Sequence, residues 1–307
     1  MKATWQRFKS SYLLYSFRRD KVAMASFAVL VLLILTGLAA PLVSPYNPYD
    51  PSSIDIMNSE LPPAWQDAGS RAFLLGTDVQ GRDMVSTMIY GLRLSILIGC
   101  GAVTLQALIG IFIGLIAGYI GGKVDALLMR LADIQLSFPY LMVAIFISAI
   151  FQVAFGIGRY AELAVPLLIV IIGLSEWPVY ARTIRASVIG EKNKEYVEAA
   201  RVIGLNRRLI MVRHILPNTI TSVLVISTIQ VANAVMSEAA LSFLGLGMPV
   251  TKPSLGSLIR SGFEYIFSGS WWITIFPGIL LVIFVLVINL LGDWLRDVLN
   301  PKLYKGA

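Results

Sequence analysis

Polar and apolar residues in this chain are sorted into long blocks rather than short alternating ones. Apolar stretches run over roughly 22–43, 92–118, 126–151, 161–183, 216–242 and 272–293. A helix needs about 20 mostly apolar residues to cross a hydrocarbon core, whereas barrel strands alternate over about ten. The pattern therefore predicts an all-α membrane protein with six transmembrane helices. It divides the chain into an amphipathic tail at 1–21, a first transmembrane helix at 22–43 and an external loop at 44–91. A five-helix core at 92–293 and a second tail at 294–307 complete it.

Composition agrees with the pattern. Of 307 residues, 57% are hydrophobic and 14% charged, and the mean hydropathy is +0.75, outside the range of a soluble globular domain. Gly37-Leu38-Ala39 has the small residues of a cleavage site, but the apolar stretch before it is longer than a signal core and is read as a retained span. The lone cysteine, Cys100, falls inside the second span and forms no internal disulfide.

Charge supplies the orientation. Lys2, Arg7, Lys9, Arg18, Arg19 and Lys21 precede the first span; Arg182, Arg185, Lys192, Lys194, Arg201, Arg207, Arg208 and Arg213 lie between the fourth and fifth; Arg296, Lys302 and Lys305 follow the last. With six alternating spans these sets share one side, which the positive-inside rule makes cytoplasmic, so both termini are expected there. The net charge of +7 is thus a topology signal and not a nucleic-acid footprint. Trp5, Phe8, Tyr12 and Tyr15 recur at helical spacing among basic residues, as in a helix lying in the headgroup layer. Six prolines between Pro41 and Pro63 forbid a long helix there and predict an extended cap over the outer helix ends. Asp78, Arg82 and Asp83 are expected to form an exposed, weakly stabilising ion-pair cap at the entry to the second span.

The basic segment at 191–214 has internal order. Tyr196, Ala199, Ala200 and Ile203 share one helical face, Gly204 stands where a left-handed cap belongs, and Asn206 is placed to cap a second short helix through Ile210. Pro217 opens the next span, where proline is tolerated. The series Glu198-Ala199-Ala200, Gly204 and Ile215-Leu216-Pro217 resembles the signature loop of ABC-importer permease subunits, with His214 where a bulky aliphatic residue is usual.

That resemblance extends along the chain. Leu75-Gly76-Thr77-Asp78, Tyr90-Gly91-Leu92-Arg93, the run Glu238 to Gly247, Pro253-Ser254-Leu255-Gly256 and Asn289-Leu290-Leu291-Gly292-Asp293 are similar to one of the two permeases of dipeptide, oligopeptide and nickel importers, the C-type inner-membrane subunit. The resemblance implies a type I importer permease fold with a cytoplasmic coupling helix in the bacterial inner membrane. Its implied partners are a second homologous permease, two cytoplasmic ATPases that bind ATP and Mg²⁺, and an external substrate-binding protein. Peptides are the implied substrate, with nickel chelates, glutathione and oligosaccharides as alternatives. No Gly-x-x-x-x-Gly-Lys-Ser/Thr loop occurs, so any ATP is hydrolysed by another chain, and this chain is expected to be non-catalytic and cofactor-free. The single histidine, His214, cannot build a metal site. The second Glu-Ala-Ala, from Glu238 to Ala240, has Leu244 in place of the glycine and is not read as a coupling loop.

Ionisable residues within spans usually face a cavity. Asp133 beside Arg130 and Asp293 beside Arg296 are expected to pair locally, whereas Glu176 and Glu238 lack a neighbour of opposite charge and are candidates to line a water-filled path. Gly110, Gly114 and Gly118 form a stripe where another helix approaches closely. Two rivals share some of these features. An ion-driven secondary transporter would show inverted repeats and broken helices, and no repeat between the halves is evident; a membrane scaffold would keep the docking loop without transport.

Overall fold

A computed structural model of the chain describes residues 12–50, 52 and 54–299. Helix α1 spans Tyr12–Arg19, α2 Lys21–Leu38, α3 Met84–Ile120, α4 Gly122–Leu136, α5 Tyr140–Phe155 and α6 Ala164–Glu191. They are followed by α7 at Glu195–Val202, α8 at Leu216–Phe243, α9 at Leu255–Tyr265 and α10 at Trp272–Leu299. Among the described residues five helices are long and apolar enough to span a membrane, six if a bent pair counts as one.

That pair is α4 and α5, where the sequence pattern predicts one continuous span. The two helices meet at 89°. The break is at Ser137-Phe138-Pro139: proline has no N–H for a helical bond, and its ring pushes the preceding residue out of the helical region.

Helix α3 starts eight residues before the expected span and has 37 residues, about 55 Å. Asp83 caps it, accepting hydrogen bonds from the Ser86 N–H and hydroxyl. Its first turns carry buried Ser86 and Thr87, which dilute the hydropathy signal, and Ser86 accepts from the Tyr46 N–H of the proline-rich segment. Among its described residues that segment holds a short helical turn at Ala40–Val43 and a 3₁₀ turn at Ile56–Asn58 and is otherwise irregular. It reaches the start of α10, where the Ser270 hydroxyl donates to the Glu60 carboxylate at 2.6 Å, and farther along the external loop the Thr77 carbonyl accepts from the Trp272 indole at 3.0 Å.

Asp78 and Arg82 do pair, at 2.6 Å, but with side chains only 1% and 3% exposed. Arg82 also donates to the Val250 carbonyl at 2.9 Å, so the pair is an interior brace rather than an exposed cap. Asp83 takes no part in it.

The core lies between α3, α6 and α8. The glycine stripe of α3 faces α6 as expected: a Cβ on Gly110 would stand 2.3 Å from the Tyr180 Cβ, one on Gly114 2.5 Å from the Ala181 carbonyl oxygen, and one on Gly118 2.8 Å from the Val188 Cβ. Backbone-to-backbone approach of this kind is what small residues permit in a bilayer. Helix α10 packs on α2 and α8, and Phe17 of α1 stacks edge-on against Phe27 and Trp294. The remainder of the proposed headgroup helix, including Trp5 and Phe8, lies outside the described residues, as do Lys302 and Lys305.

The expected local pairing of Asp133 gives way to a pair between helices. Asp133 meets Arg182 of α6 rather than Arg130, and Asp125 of α4 meets Arg185 of α6. Asp293 and Arg296 are not within ion-pairing distance of each other.

Candidate functional site

The segment at 191–214 folds as a helix, an elbow and a return. Helix α7 closes with a paired cap: the Gly204 N–H donates to the Arg201 carbonyl and the Leu205 N–H reaches back to Ala200. Gly204 has φ of +83°, a conformation costly for any residue with a Cβ. Asn206 accepts from the Arg208 N–H and starts the return, as its type predicts.

The return is not a separate helix. Arg207–Leu209 passes into a π-helical turn at Ile210–Ile215 and then directly into α8. Pro217 has no N–H to give the preceding turn, which is where the wider π register lies, and the Asn218 side chain donates to the His214 carbonyl beside it at 2.6 Å.

The buried face of α7 differs from the expected one. Val197 and Ala200 are buried and Tyr196 and Leu205 partly so, while Ala199 is exposed, as are Glu198 and Gly204. Val202 and Ile203 are 88% and 76% exposed. The helix docks through the Val197–Ala200 spacing onto the π turn and the end of α3, which turns the other apolar residues outward. Ile215 is fully buried, Leu216 partly, and Pro217 exposed.

Three polar contacts fix the segment to the bundle. Lys192 donates to the Gly118 carbonyl at 2.9 Å. Tyr196 donates to the Glu191 carboxylate at 2.7 Å, and burial together with that bond pushes the phenol up to about 12. Arg201 lies over the Tyr119 ring, 5.8 Å from its centroid. The helix is thereby tied to the ends of both α3 and α6, and displacing it displaces them.

A second constellation runs along the seam of α3, α6 and α8. Gln230 donates to Glu176 at 3.0 Å and to Gln106 at 3.3 Å, and Asn233 donates to Gln230 at 2.9 Å. Further along, Glu238 accepts from Ser95 of α3 at 2.8 Å and from Ser242 at 2.7 Å. Glu238 is fully buried and Glu176 8% exposed. In this chain both are enclosed by hydroxyl and amide donors from neighbouring helices. Gln106, Gln230 and Ser95 were not singled out in the sequence, although a glutamine inside an apolar span is itself a signal that a partner helix supplies its hydrogen bonds.

Another pair of residues joins the broken span to α6. Pro178 leaves the Leu174 carbonyl without a helical donor, and the Gln135 side-chain amide of α4 donates to it at 2.5 Å and to the Ser175 carbonyl at 3.0 Å. The Gln135 oxygen accepts from the Trp177 indole at 2.9 Å. The bent helix pair is thus clamped to the proline of its neighbour.

Comparison with known proteins decides the family. Residues 110–305 match the model for the binding-protein-dependent transport system inner membrane component, and residues 1–63 that for the N-terminal TM domain of oligopeptide transport permease C. The chain belongs to the binding-protein-dependent transport permeases. It is 38% identical over 292 residues to the di/tripeptide transport system permease protein DppC of Pseudomonas aeruginosa, covering 95% of this chain and 92% of that one. It is 39% identical over 287 residues to the dipeptide permease DppC of Escherichia coli K12, covering 94% and 91%. It is 35% identical over 289 residues to the oligopeptide permease OppC of Bacillus subtilis, covering 94% and 88%. A solved inward-facing structure of the MetNI methionine ABC transporter shares the fold, with a TM-score of 0.56 and 20% identity over 70% of this chain and 97% of that one.

Proposed function

We propose that this chain is one of two membrane-spanning subunits of an ATP-driven peptide importer of a bacterial inner membrane, with both termini in the cytoplasm. The observation that carries the coupling role is the pair Val202 and Ile203, two large apolar side chains 88% and 76% exposed at the tip of a rigidly capped elbow. An apolar knob of this kind at a basic loop fits a cleft in a cytoplasmic partner. Peptides are the substrate class of the relatives most similar over nearly the whole chain.

Glu198, Ala199 and Gly204 then form the coupling surface, Ala200 seats the helix that carries them on the bundle, and Ile215, Leu216 and Pro217 join it to α8. Closure of two ATPases around ATP and Mg²⁺ moves α7, and its bonds to α3 and α6 pass the motion into the bundle, which reorients a path shared with a second permease. An external binding protein delivers the peptide. The chain performs no covalent step.

The test is purification of the tagged chain from its native membrane in mild detergent, with everything that remains bound identified by mass spectrometry, alongside ATP-dependent uptake of a labelled dipeptide. Recovery of a homologous permease and an ATPase, with uptake, is expected. Recovery of the chain alone, even after crosslinking near Gly204, would overturn the assignment.

A further inference from the structure

At the end of the bundle opposite α7, a cavity of about 540 Å³ opens between the loop after α8, one side of α9 and the Ile157–Glu162 turn. Its volume is in the range of small-ligand sites. Its wall is firmly built. Tyr160 donates to the Leu246 carbonyl at 2.7 Å, the Met248 N–H to Ser242 at 3.0 Å, and buried Arg82 to the Val250 carbonyl.

Two charges of opposite sign face this cavity from α9, Arg260 and Glu264. They are four residues apart, the spacing at which a helix usually forms an ion pair. They form none here, and among the described residues no carboxylate lies within pairing distance of Arg260. The guanidinium instead lies against Gly245, where φ is +82° and any Cβ would stand 1.7 Å from its Nη1. Glycine at that turn leaves the guanidinium room to lie along the cavity wall.

We propose that this cavity is an entry subsite for a short zwitterionic peptide, with Arg260 taking the terminal carboxylate and Glu264 the terminal ammonium. This rests on the peptide-import reading. The dimensions agree: Cβ atoms at this helical spacing are about 5–6 Å apart, and two extended residues span at most about 7 Å. A guanidinium fork suits a carboxylate in two-point contact. Both charges are exposed, so the free peptide replaces water at each of them without first breaking an internal pair.

The test uses right-side-out membrane vesicles carrying the complete transporter with Cys100→Ala and a reporter, Ser261→Cys, in the cavity wall. Dialanine is expected to slow maleimide labelling of the reporter, and N-acetyl-dialanine amide is not. Arg260→Gln should raise the dialanine concentration for half-protection about tenfold, the weight of one charge-assisted contact. Glu264→Gln, at an exposed position where folding is not at stake, should do the same. Equal protection by the free and blocked peptides, or undiminished protection in both variants, would overturn the subsite. Energised uptake of labelled dialanine in the same vesicles separates the two readings. Uptake without protection removes the subsite and leaves import standing; protection without uptake keeps the subsite and removes import.

Discussion

Glu238 shows how a buried charge-bearing side chain is held without a counter-ion. Its oxygens accept from Ser95 and Ser242 on two helices, so removing it leaves two buried O–H donors without their acceptor, at about 1–3 kcal/mol each. Glu238→Ala should lower the thermal midpoint of the detergent-purified chain, while Glu238→Gln, which keeps an acceptor, should lower it less. If Glu238 serves only this seam, uptake per folded transporter should be unchanged in Glu238→Gln; a change in uptake with unchanged stability would give it a place on the path. Arg82 is a harsher case. It is 3% exposed and paired with Asp78, and Arg82→Ala leaves a buried carboxylate uncompensated, at about 3–5 kcal/mol. Poor recovery of folded protein is the expected result, and recovery at wild-type level would show that the brace is dispensable.

Among the helices, the contact of α3 with α6 depends most on residue size. The Gly114 Cα sits where any Cβ would meet the Ala181 carbonyl oxygen at 2.5 Å, and backbone cannot rotate aside as a side chain does. Gly114→Leu should force the two helices apart and cost more than the about 1–3 kcal/mol of ordinary overpacking, read as loss of the monodisperse peak in size-exclusion chromatography; a retained peak and midpoint would sink the close-approach account. This stripe was legible in the sequence because four-residue glycine spacing maps directly onto one helix face. So were the apolar stretches, the Gly204 cap and the Asn206 cap, all of which depend on near neighbours. What was not legible depends on partners distant in sequence. Pro139 was visible, yet the span was read through it, since hydropathy alone does not register a missing N–H. The partner of Asp133 is Arg182, 49 residues away. Gln135 answers the carbonyl freed by Pro178, a complementarity between two helices that neither sequence window contains. The buried face of α7 was misjudged for the same reason, because its eight residues admit more than one apolar face and the π turn it packs on selects Val197 and Ala200.

The molecule as a whole separates what holds the chain together from what it offers to others, and α7 carries both functions on opposite faces. Val197, Ala200 and Lys192 bind it to the bundle, whereas Val202 and Ile203 touch little of this chain. Exposed apolar side chains add almost nothing to the stability of the isolated subunit, since folding does not remove them from water. Burying both in a partner cleft would contribute about 1.5–3 kcal/mol each, enough to change occupancy by one to several orders of magnitude. Val202→Asp combined with Ile203→Asp should therefore leave expression, membrane insertion and the thermal midpoint of the purified chain unchanged while abolishing recovery of an ATPase. Val197→Asp should give the reverse order of events, loosening the chain first and losing the ATPase as a consequence. Full ATPase recovery with the double aspartate variant would mean that the partner docks elsewhere, and the elbow would then be a structural return loop only. The contrast between the two faces makes this a test of coupling and not merely of folding, because the residues differ only in which side of one eight-residue helix and its capping turn they occupy.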